Sequence, residues 1–242
     1  IFPSYLSFSF DCTLILGLIS DKFYFMMHID VFGLNDHVPQ DTHLVLVGHS
    51  VGCYIILQIM KRNPELKVIK SVLLFPVIER MACSPQGQVM TPVLCRLRYA
   101  VYLPVFLLSL LPEKLKAGLV QLALRNVHSY DGLSPKCLHW WTNAMYMGSQ
   151  EMSLVLERDN STIPKILFFV CFYFLRLLIF YYGATDHWCP VQYYCDMRRD
   201  FPEGDIRLCE SCLRHAFVLD AGEEMANMTT EWIRDDLRRL KQ

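Results

Sequence analysis

Ser50, Asp186 and His215 are the side chains whose types and order could carry out a reaction. A serine hydroxyl becomes a nucleophile when a histidine takes its proton, and a carboxylate can then orient that histidine and stabilise its charged form. The three residues follow one another in the order serine, acid, histidine along the chain. They therefore predict nucleophilic acyl-transfer chemistry, provided that the fold brings them together.

Ser50 stands in a Gly-x-Ser-x-Gly segment that directly follows an apolar strand, Leu44–Val47. An apolar helical pattern begins after Gly52. Strand, sharp turn and helix is the arrangement of a nucleophile elbow, in which the serine projects from the turn. Gly48 and Gly52 are predicted to leave room for the neighbouring strand and helix, and the Val51 N–H is predicted to point where an oxyanion forms.

Asp186 and His215 each come shortly after a predicted strand. Leu177–Tyr182 is apolar and predicts a buried strand, and Asp205–Glu210 predicts a shorter one. Because parallel strands end at one edge of a sheet, both side chains are expected beside the elbow. His215 is predicted to take the Ser50 proton, and Asp186 to fix the tautomer of the imidazole.

Other histidines and acids compete for these roles. His49 lies inside the elbow, where this side chain normally points away from the serine. Two further histidines lie in the predicted cap, and a third directly follows Asp186. Two further acids are weaker candidates because neither directly follows a long strand. These weaker candidates are His128, His139, His187, Asp205 and Asp220.

The composition favours one α/β domain with an unusually apolar surface or segment. A chain of 242 residues is long enough for a full core. Its net charge of -1 supplies no basic excess to neutralise phosphates, which argues against a nucleic-acid binder. Charged residues make up 19%, against about 25% in ordinary soluble domains, so either a membrane-facing surface exists or some segments are not ordinary globular sequence.

Ten cysteines are scattered along the chain, and Cys209 and Cys212 form the one close pair. A zinc or redox site usually needs a second pair or a histidine pair, and none accompanies them. The cysteines are therefore predicted to be reduced thiols of an intracellular protein, and no signal peptide is predicted. No metal or organic cofactor is predicted, because serine-based acyl transfer needs none.

Strands alternate with helices along the chain, which predicts a mostly parallel sheet with helices on both faces. Val68–Phe75 is predicted as a strand, and Val191–Asp200 and Glu223–Leu240 as helices. Residues 79–160 are predicted to form a helical cap inserted between two strands, beginning with a polar loop over Glu79–Gly87. The whole chain, 1–242, is predicted to be a single domain.

Two apolar segments allow more than one interpretation. Tyr99–Leu111 is either a core or lid helix, or a hairpin that enters a lipid surface with Arg96 and Lys114 at the headgroups. Ile166–Tyr182 borders on the length of a transmembrane helix, although its second half is more typical of a buried strand. On that interpretation Ile166–Arg176 is extra sequence without an assigned role.

With these residues in place, the chain resembles the lipid droplet-associated hydrolase family, an α/β-hydrolase group. The segments that carry the resemblance are Leu44–Gly52, Leu73–Arg80, Phe180–Pro190, Asp200–Cys209 and His215–Phe217. The resemblance extends from about residue 30 to the C-terminus. It implies an α/β-hydrolase fold, with Ser50 as nucleophile, Asp186 as acid and His215 as base.

The resemblance also implies where the protein acts and on what. It implies association with lipid droplets and with the cytosolic face of the endoplasmic reticulum. A sterol ester or another neutral lipid ester is the implied substrate, bound without a cofactor.

Two features depart from the family pattern. The family has further strands before the elbow and a Pro-Gly-Asn-Pro-Gly-like loop that completes the oxyanion hole, but residues 1–43 contain no match and residues 1–29 show neither a helical nor a strand period. Ile166–Arg176 is the second departure. An N-terminally truncated or mispredicted form, catalytically weak or inactive but still droplet-associated, is therefore the alternative hypothesis. A third is an integral membrane protein anchored by Ile166–Tyr182.

Overall fold

The computed structural model describes residues 14–18, 43–97, 148–169 and 177–239, together with positions 100, 103, 107, 110–112 and 115. Within them, strands form one sheet whose spatial order follows the chain. The strands are β1 (Leu14–Leu18), β2 (Leu44–His49), β3 (Val68–Leu74), β4 (Leu178–Gly183) and β5 (Asp205–Cys209). β2 to β5 run parallel, and β1 pairs antiparallel with β2.

Helices connect and cover these strands. They are α1 (Val51–Arg62), α2 (Pro85–Thr91), α3 (Thr162–Phe169), α4 (Val191–Asp200) and α5 (Gly222–Arg239), and residues 148–154 are also helical. The predicted helices after the elbow, over 191–200 and at the C-terminus are confirmed to within a residue or two. Most of the predicted cap, including the greater part of Tyr99–Leu111, lies outside the described residues.

Helices lie on both faces of the sheet, as the alternating pattern predicts. Ser71 of β3 contacts Met60 of α1 through its hydroxyl, which lies 3.4 Å from the sulfur. The preceding residue, Lys70, forms an ion pair of 2.7 Å with Asp236 of α5. Because successive residues of a strand point to opposite faces, α1 and α5 cover opposite sides of the sheet.

β4 is buried at every position, from Leu178 to Gly183. The second half of Ile166–Tyr182 is therefore sheet core, and the hypothesis of a membrane-spanning helix over that segment is wrong. In the described parts of the chain, no helix is both long and apolar enough to cross a bilayer. The first residues of the segment, 166–169, form the last turn of α3. Ile163 and Ile166 of this helix belong to the hydrophobic core. Residues 170–176 lie outside the described residues.

β1 is a strand where the sequence predicts none. Leu14 lies opposite Gly48 and Leu18 opposite Leu44 in the antiparallel register. Periodicity cannot tell a short apolar run in a strand from one in a buried helix, and Gly17 inside this run weakens the signal for a strand. The free edge of β2 offers unpaired backbone groups, and pairing them with β1 protects that edge of the sheet.

α2 begins inside the segment predicted as a polar loop, Glu79–Gly87. A 3₁₀ turn over Met81–Cys83 precedes it, and the Ser84 hydroxyl then accepts the Gly87 N–H at 3.0 Å. The Ser-Pro pair that suggests a turn is equally an N-cap followed by proline in the first helical position. The local pattern therefore fits a helix start, which explains the difference.

A partly buried ion cluster joins the two ends of the insertion between β3 and β4. The Arg80 guanidinium lies 2.7 Å from Glu79 and 2.9 Å from Asp196 of α4. Arg158, near the end of the insertion, lies 3.5 Å from the same glutamate. Burial raises the pKa of Glu79, and the two arginines offset part of that shift. Residues 79 and 158 are thereby held together at the edge of the sheet.

Candidate active site

The structure brings Ser50, His215 and Asp186 into one hydrogen-bonded row. The Nε2 atom of His215 lies 2.8 Å from the Ser50 hydroxyl oxygen, and its Nδ1 lies 2.6 Å from Oδ2 of Asp186. An ionised carboxylate can only accept, so Nδ1 carries the proton and Nε2 is free to accept the Ser50 hydroxyl hydrogen. This arrangement is suited to proton transfer from serine to histidine.

Ser50 occupies a sharp turn between β2 and α1. Its φ of 57° and ψ of -126° are unusual for a residue with a side chain and carry a strain of about 1–3 kcal/mol. Its N–H donates to the Leu74 carbonyl at 3.1 Å, while its own carbonyl accepts the N–H groups of Cys53 and Val77. These bonds to β3 and α1 hold the strained turn and direct the hydroxyl towards His215.

Gly48 and Gly52 face each other across this turn. A Cβ atom on Gly48 would lie 2.9 Å from the Gly52 carbonyl carbon and 3.0 Å from the Cys53 nitrogen, closer than such atoms approach in proteins. Val51 is the first residue of α1, where N–H groups have no acceptor within the helix. The elbow predicted from the sequence thus has the strand, turn and helix that an oxyanion-binding N–H requires.

The Asp186 carboxylate is held on both oxygens. Oδ1 accepts the N–H groups of Trp188 at 2.7 Å and Cys189 at 3.2 Å. Burial alone raises the pKa of Asp186, but the hydrogen bond and charge of His215, the Cys189 thiol and the Trp188 N–H together hold it below its usual value. The carboxylate is therefore ionised at neutral pH.

His49 is directed at the backbone of His215. Its Nε2–H donates to the His215 carbonyl at 2.7 Å. The ring packs edge-on against Phe217 and Phe75, with centroids at 4.7 and 6.4 Å. Burial, with the neighbouring His215 second, lowers the pKa of His49 from 6.5 to about 4, so it is neutral at pH 7. His49 thus fastens the loop of His215 to the elbow.

The weaker candidates have other surroundings. His187 is exposed although it adjoins Asp186. Asp205 pairs with Arg207 at 2.7 Å, and Asp220 pairs with Arg214 at 2.8 Å. His128 and His139 lie outside the described residues.

Three residues without a predicted role, Phe75, Gly183 and Cys189, also shape the site. Phe75 has a φ of 49° and is fully buried, and its ring centroid lies 6.1 Å from that of His215. A Cβ atom on Gly183 would lie 2.4 Å from the Phe75 ring, so the ring depends on a glycine in β4. Cys189 donates its thiol to Oδ2 of Asp186 at 2.9 Å. The available signals are weak: Pro76 after the phenylalanine and Pro190 after the cysteine mark turns, but not contacts.

The same place contains residues with metal-ligand chemistry. Within the described chain, Asp186, Cys189 and His215 are a group of potential ligands whose atoms lie within 4.8 Å of one another. Hydrogen bonds of 2.6 and 2.9 Å already join Oδ2 to the other two ligand atoms. Cys209 is buried whereas Cys212 is exposed, and both are free thiols.

The fold and sequence have relatives among known proteins. The structure is similar to a thermophilic esterase from Thermogutta terrifontis, with a TM-score of 0.48 and 14% identity over 86% of this chain and 70% of that one. Another thermophilic esterase structure gives a TM-score of 0.44 and 15% identity, over 78% and 65% of the two chains.

Sequence relatives are much closer. The lipid droplet-associated hydrolase of Gallus gallus is 53% identical over an alignment of 231 positions, which covers 87% of this chain and 68% of that protein. The Homo sapiens protein of the same name is 44% identical over an alignment of 229 positions, which covers 87% of this chain and 67% of that protein. This chain thus spans about two thirds of the length of these relatives. The family model described as lipid-droplet associated hydrolase matches residues 27–218, and the chain belongs to that family.

Proposed function

We propose that this chain is a serine ester hydrolase that cleaves neutral lipid esters, such as sterol esters, at the surface of lipid droplets. The observation that carries the proposal is the hydrogen-bonded row of Ser50, His215 and Asp186. Membership of a family named for hydrolysis and for lipid droplets gives the reaction class and the surroundings. The sterol ester as substrate and the catalytic roles of the three residues go beyond what the family name states.

In the proposed reaction, the Ser50 oxygen attacks the ester carbonyl carbon while its proton passes to Nε2 of His215. The carbonyl π electrons move to the oxygen, and the Val51 N–H stabilises this oxyanion. When the C–O bond to the alcohol breaks, the alcohol oxygen takes the proton from His215. Water then repeats the sequence on the acyl-serine and releases the carboxylic acid. Asp186 stabilises the imidazolium in both halves.

The alternative candidate is a catalytically weak or inactive protein of the droplet surface. It differs from the enzyme in the second oxyanion donor, which the family resemblance assigns to a glycine-rich loop before the elbow and which residues 1–43 do not match. Losing one such donor typically lowers the rate about 10²–10³-fold. The two candidates therefore share a reactive serine and differ in turnover.

Labelling with a fluorophosphonate probe tests the reactive serine. We expect the wild type to be labelled and Ser50→Ala to lose labelling, because the probe reacts with a serine oxygen whose proton a histidine accepts. Ser153→Ala is a suitable control, since Ser153 is an exposed serine outside the elbow. Absence of labelling in a folded wild-type protein contradicts the proposal.

Turnover on an emulsified sterol ester, measured beside triacylglycerol, then separates the two candidates. Hydrolysis of the sterol ester that is lost in Ser50→Ala supports the proposed enzyme. Hydrolysis of triacylglycerol without hydrolysis of the sterol ester identifies triacylglycerol, another neutral lipid ester, as the substrate. Labelling without hydrolysis of either substrate supports the weak or inactive protein.

Exposed leucines support the proposed contact with a lipid surface. Leu103, Leu107 and Leu110 are more than half exposed. Leu103 and Leu107 are both helical, and a spacing of four residues is typical of one helix face, whereas Leu110 lies in a turn. Arg96, also exposed, precedes them and suits the phospholipid headgroup level. The exposure of these described positions supports the hypothesis that this segment meets a lipid surface.

The proposed location is the cytosolic face of the endoplasmic reticulum as well as the droplet. Every cysteine in the described parts of the chain is a free thiol. Free thiols are typical of a reducing compartment, which supports a cytosolic orientation. Protease added to intact microsomes tests this orientation. We expect the protease to digest the bound protein, and full protection of the protein contradicts a cytosolic orientation.

Flotation with artificial droplets tests the leucine face. We expect the double variant Leu103→Asp/Leu107→Asp to bind droplets at least about tenfold less, because each buried leucine contributes about 1.5–3 kcal/mol. The matched control is Leu154→Asp/Leu156→Asp, which changes two leucines of similar exposure, 62% and 59%, outside that face. Equal flotation of the two double variants contradicts docking through Leu103 and Leu107.

A further inference from the structure

Cys189 has a thiol on the Asp186 carboxylate that the proposed reaction does not use. Its sulfur lies 2.9 Å from Oδ2, and the residue is fully buried. Burial, and then the adjacent Asp186 charge, raise the pKa of the Cys189 thiol well above its usual value. The group is therefore a neutral S–H donor at the pH at which the enzyme works, not a nucleophile.

The four acceptor sites of the Asp186 carboxylate have four donors. Oδ2 accepts Nδ1–H of His215 at 2.6 Å and the Cys189 thiol. Oδ1 accepts the N–H groups of Trp188 and Cys189. A carboxylate has about four lone-pair sites, so this one is saturated. Cys189 supplies two of the four donors and lies on the same oxygen that holds the imidazole.

We propose that Cys189 is a positioning residue for the Asp186–His215 pair: its thiol fixes Oδ2 and withdraws part of the negative charge that His215 experiences. This inference rests on the proposed function, because it assigns a role within the same site. Cys189 does not touch the reacting atoms and acts through Asp186.

The other titratable groups around this pair are neutral and do not supply the same effect. His49 from β2 interacts electrostatically with Asp186, and its lowered pKa leaves it uncharged at pH 7. Cys53 from α1 and Tyr182 from β4 interact with Cys189, and burial raises the pKa of both. The charge on Asp186 therefore depends mainly on His215 and on its direct hydrogen-bond donors.

Removing the thiol has a predictable sign. In Cys189→Ala, Oδ2 loses a donor and becomes more negative, which favours the protonated form of His215. The base is then free only at higher pH, so the midpoint of the acidic limb of kcat/KM shifts upward by about half a unit to one unit. We also expect kcat to fall roughly tenfold as the carboxylate gains freedom to rotate. Cys189→Ser keeps a donor, and its midpoint stays at or below that of the wild type.

Cys53→Ala is the matched control. Cys53 is as fully buried as Cys189, but its sulfur lies 3.3 and 3.5 Å from the Gly48 and Leu74 carbonyl oxygens, so its one S–H is directed at backbone and not at Asp186. The substitution removes the same atom from the same core. A purely structural role predicts similar behaviour of the two alanine variants, whereas the proposal predicts a shifted midpoint in Cys189→Ala alone.

The experiment measures kcat/KM against pH on a soluble aryl ester for the wild type and the three variants. In parallel, NMR follows the far-downfield Nδ1–H signal of His215 through its titration, which gives the same midpoint without turnover. An upward shift in Cys189→Ala that is absent in Cys189→Ser and Cys53→Ala supports the proposal. Equal midpoints in all proteins, or equal shifts in the Ala and Ser variants, overturn it. If the wild type hydrolyses neither the aryl ester nor the emulsified lipid esters, the proposed function fails, and the NMR midpoints still decide the role of Cys189.

Discussion

Asp186→Asn is expected to lower kcat by about four orders of magnitude while the protein stays folded. The backbone N–H groups of Trp188 and Cys189 require an acceptor at the position of Oδ1. The asparagine carbonyl must therefore turn to that side, which leaves the NH₂ group facing Nδ1 of His215. That group donates to Nδ1 and forces the proton onto Nε2. His215 then cannot accept the Ser50 proton, although every atom is nearly in place.

The measurement is kcat for Asp186→Asn beside Asp220→Asn, with circular dichroism as the check on folding. Asp220 is an acid close to His215 in the sequence, but it lies at an exposed position and pairs with Arg214. We expect the control to keep kcat within about twofold, as surface substitutions have small effects. An activity of Asp186→Asn within tenfold of the wild type removes Asp186 from the proposed role of the acid.

The parts of the site that the sequence predicts are those with a local signal. The elbow is a strand, a Gly-x-Ser-x-Gly turn and a helix in one continuous segment, and Ser50 is found in that turn. Asp186 and His215 are far from Ser50 in the chain. Each is nevertheless predictable, because each follows a strand and parallel strands end at one edge of the sheet. Topology alone therefore brings the three side chains near one another.

The remaining contacts depend on side-chain directions that no local pattern encodes. Cys189 reaches Oδ2 because the loop after Asp186 turns back on the carboxylate, and the sequence shows only a proline after it. Phe75 lies against His215 only because the chain adopts a positive φ and Gly183 leaves space. β1 is missed because periodicity cannot tell its short, glycine-containing apolar run from a segment of buried helix.

Gly48→Ala is expected to destabilise the protein by about 3 kcal/mol, at the upper end of the usual cost of overpacking. The new Cβ atom would lie 2.8 Å from the Ile56 Cδ1 atom, which can rotate away. It would also lie 2.9 Å from the Gly52 carbonyl carbon and 3.0 Å from the Cys53 nitrogen, and these backbone atoms cannot move without shifting α1. Such a shift moves Ser50 relative to His215, so we also expect a loss of about 100-fold in fluorophosphonate labelling rate.

Gly222→Ala makes the same chemical change where there is room for it. Gly222 is the first residue of α5, and a Cβ atom there meets nothing within 4 Å. Urea unfolding of the two variants therefore isolates the crowding at the elbow from the intrinsic effect of replacing glycine by alanine. We expect Gly222→Ala to change the free energy of unfolding by no more than about 0.5 kcal/mol in either direction. Similar losses in both variants contradict a steric requirement for glycine at the elbow. A stable Gly48→Ala protein with normal labelling shows that the turn can move aside without displacing the Ser50 hydroxyl from His215.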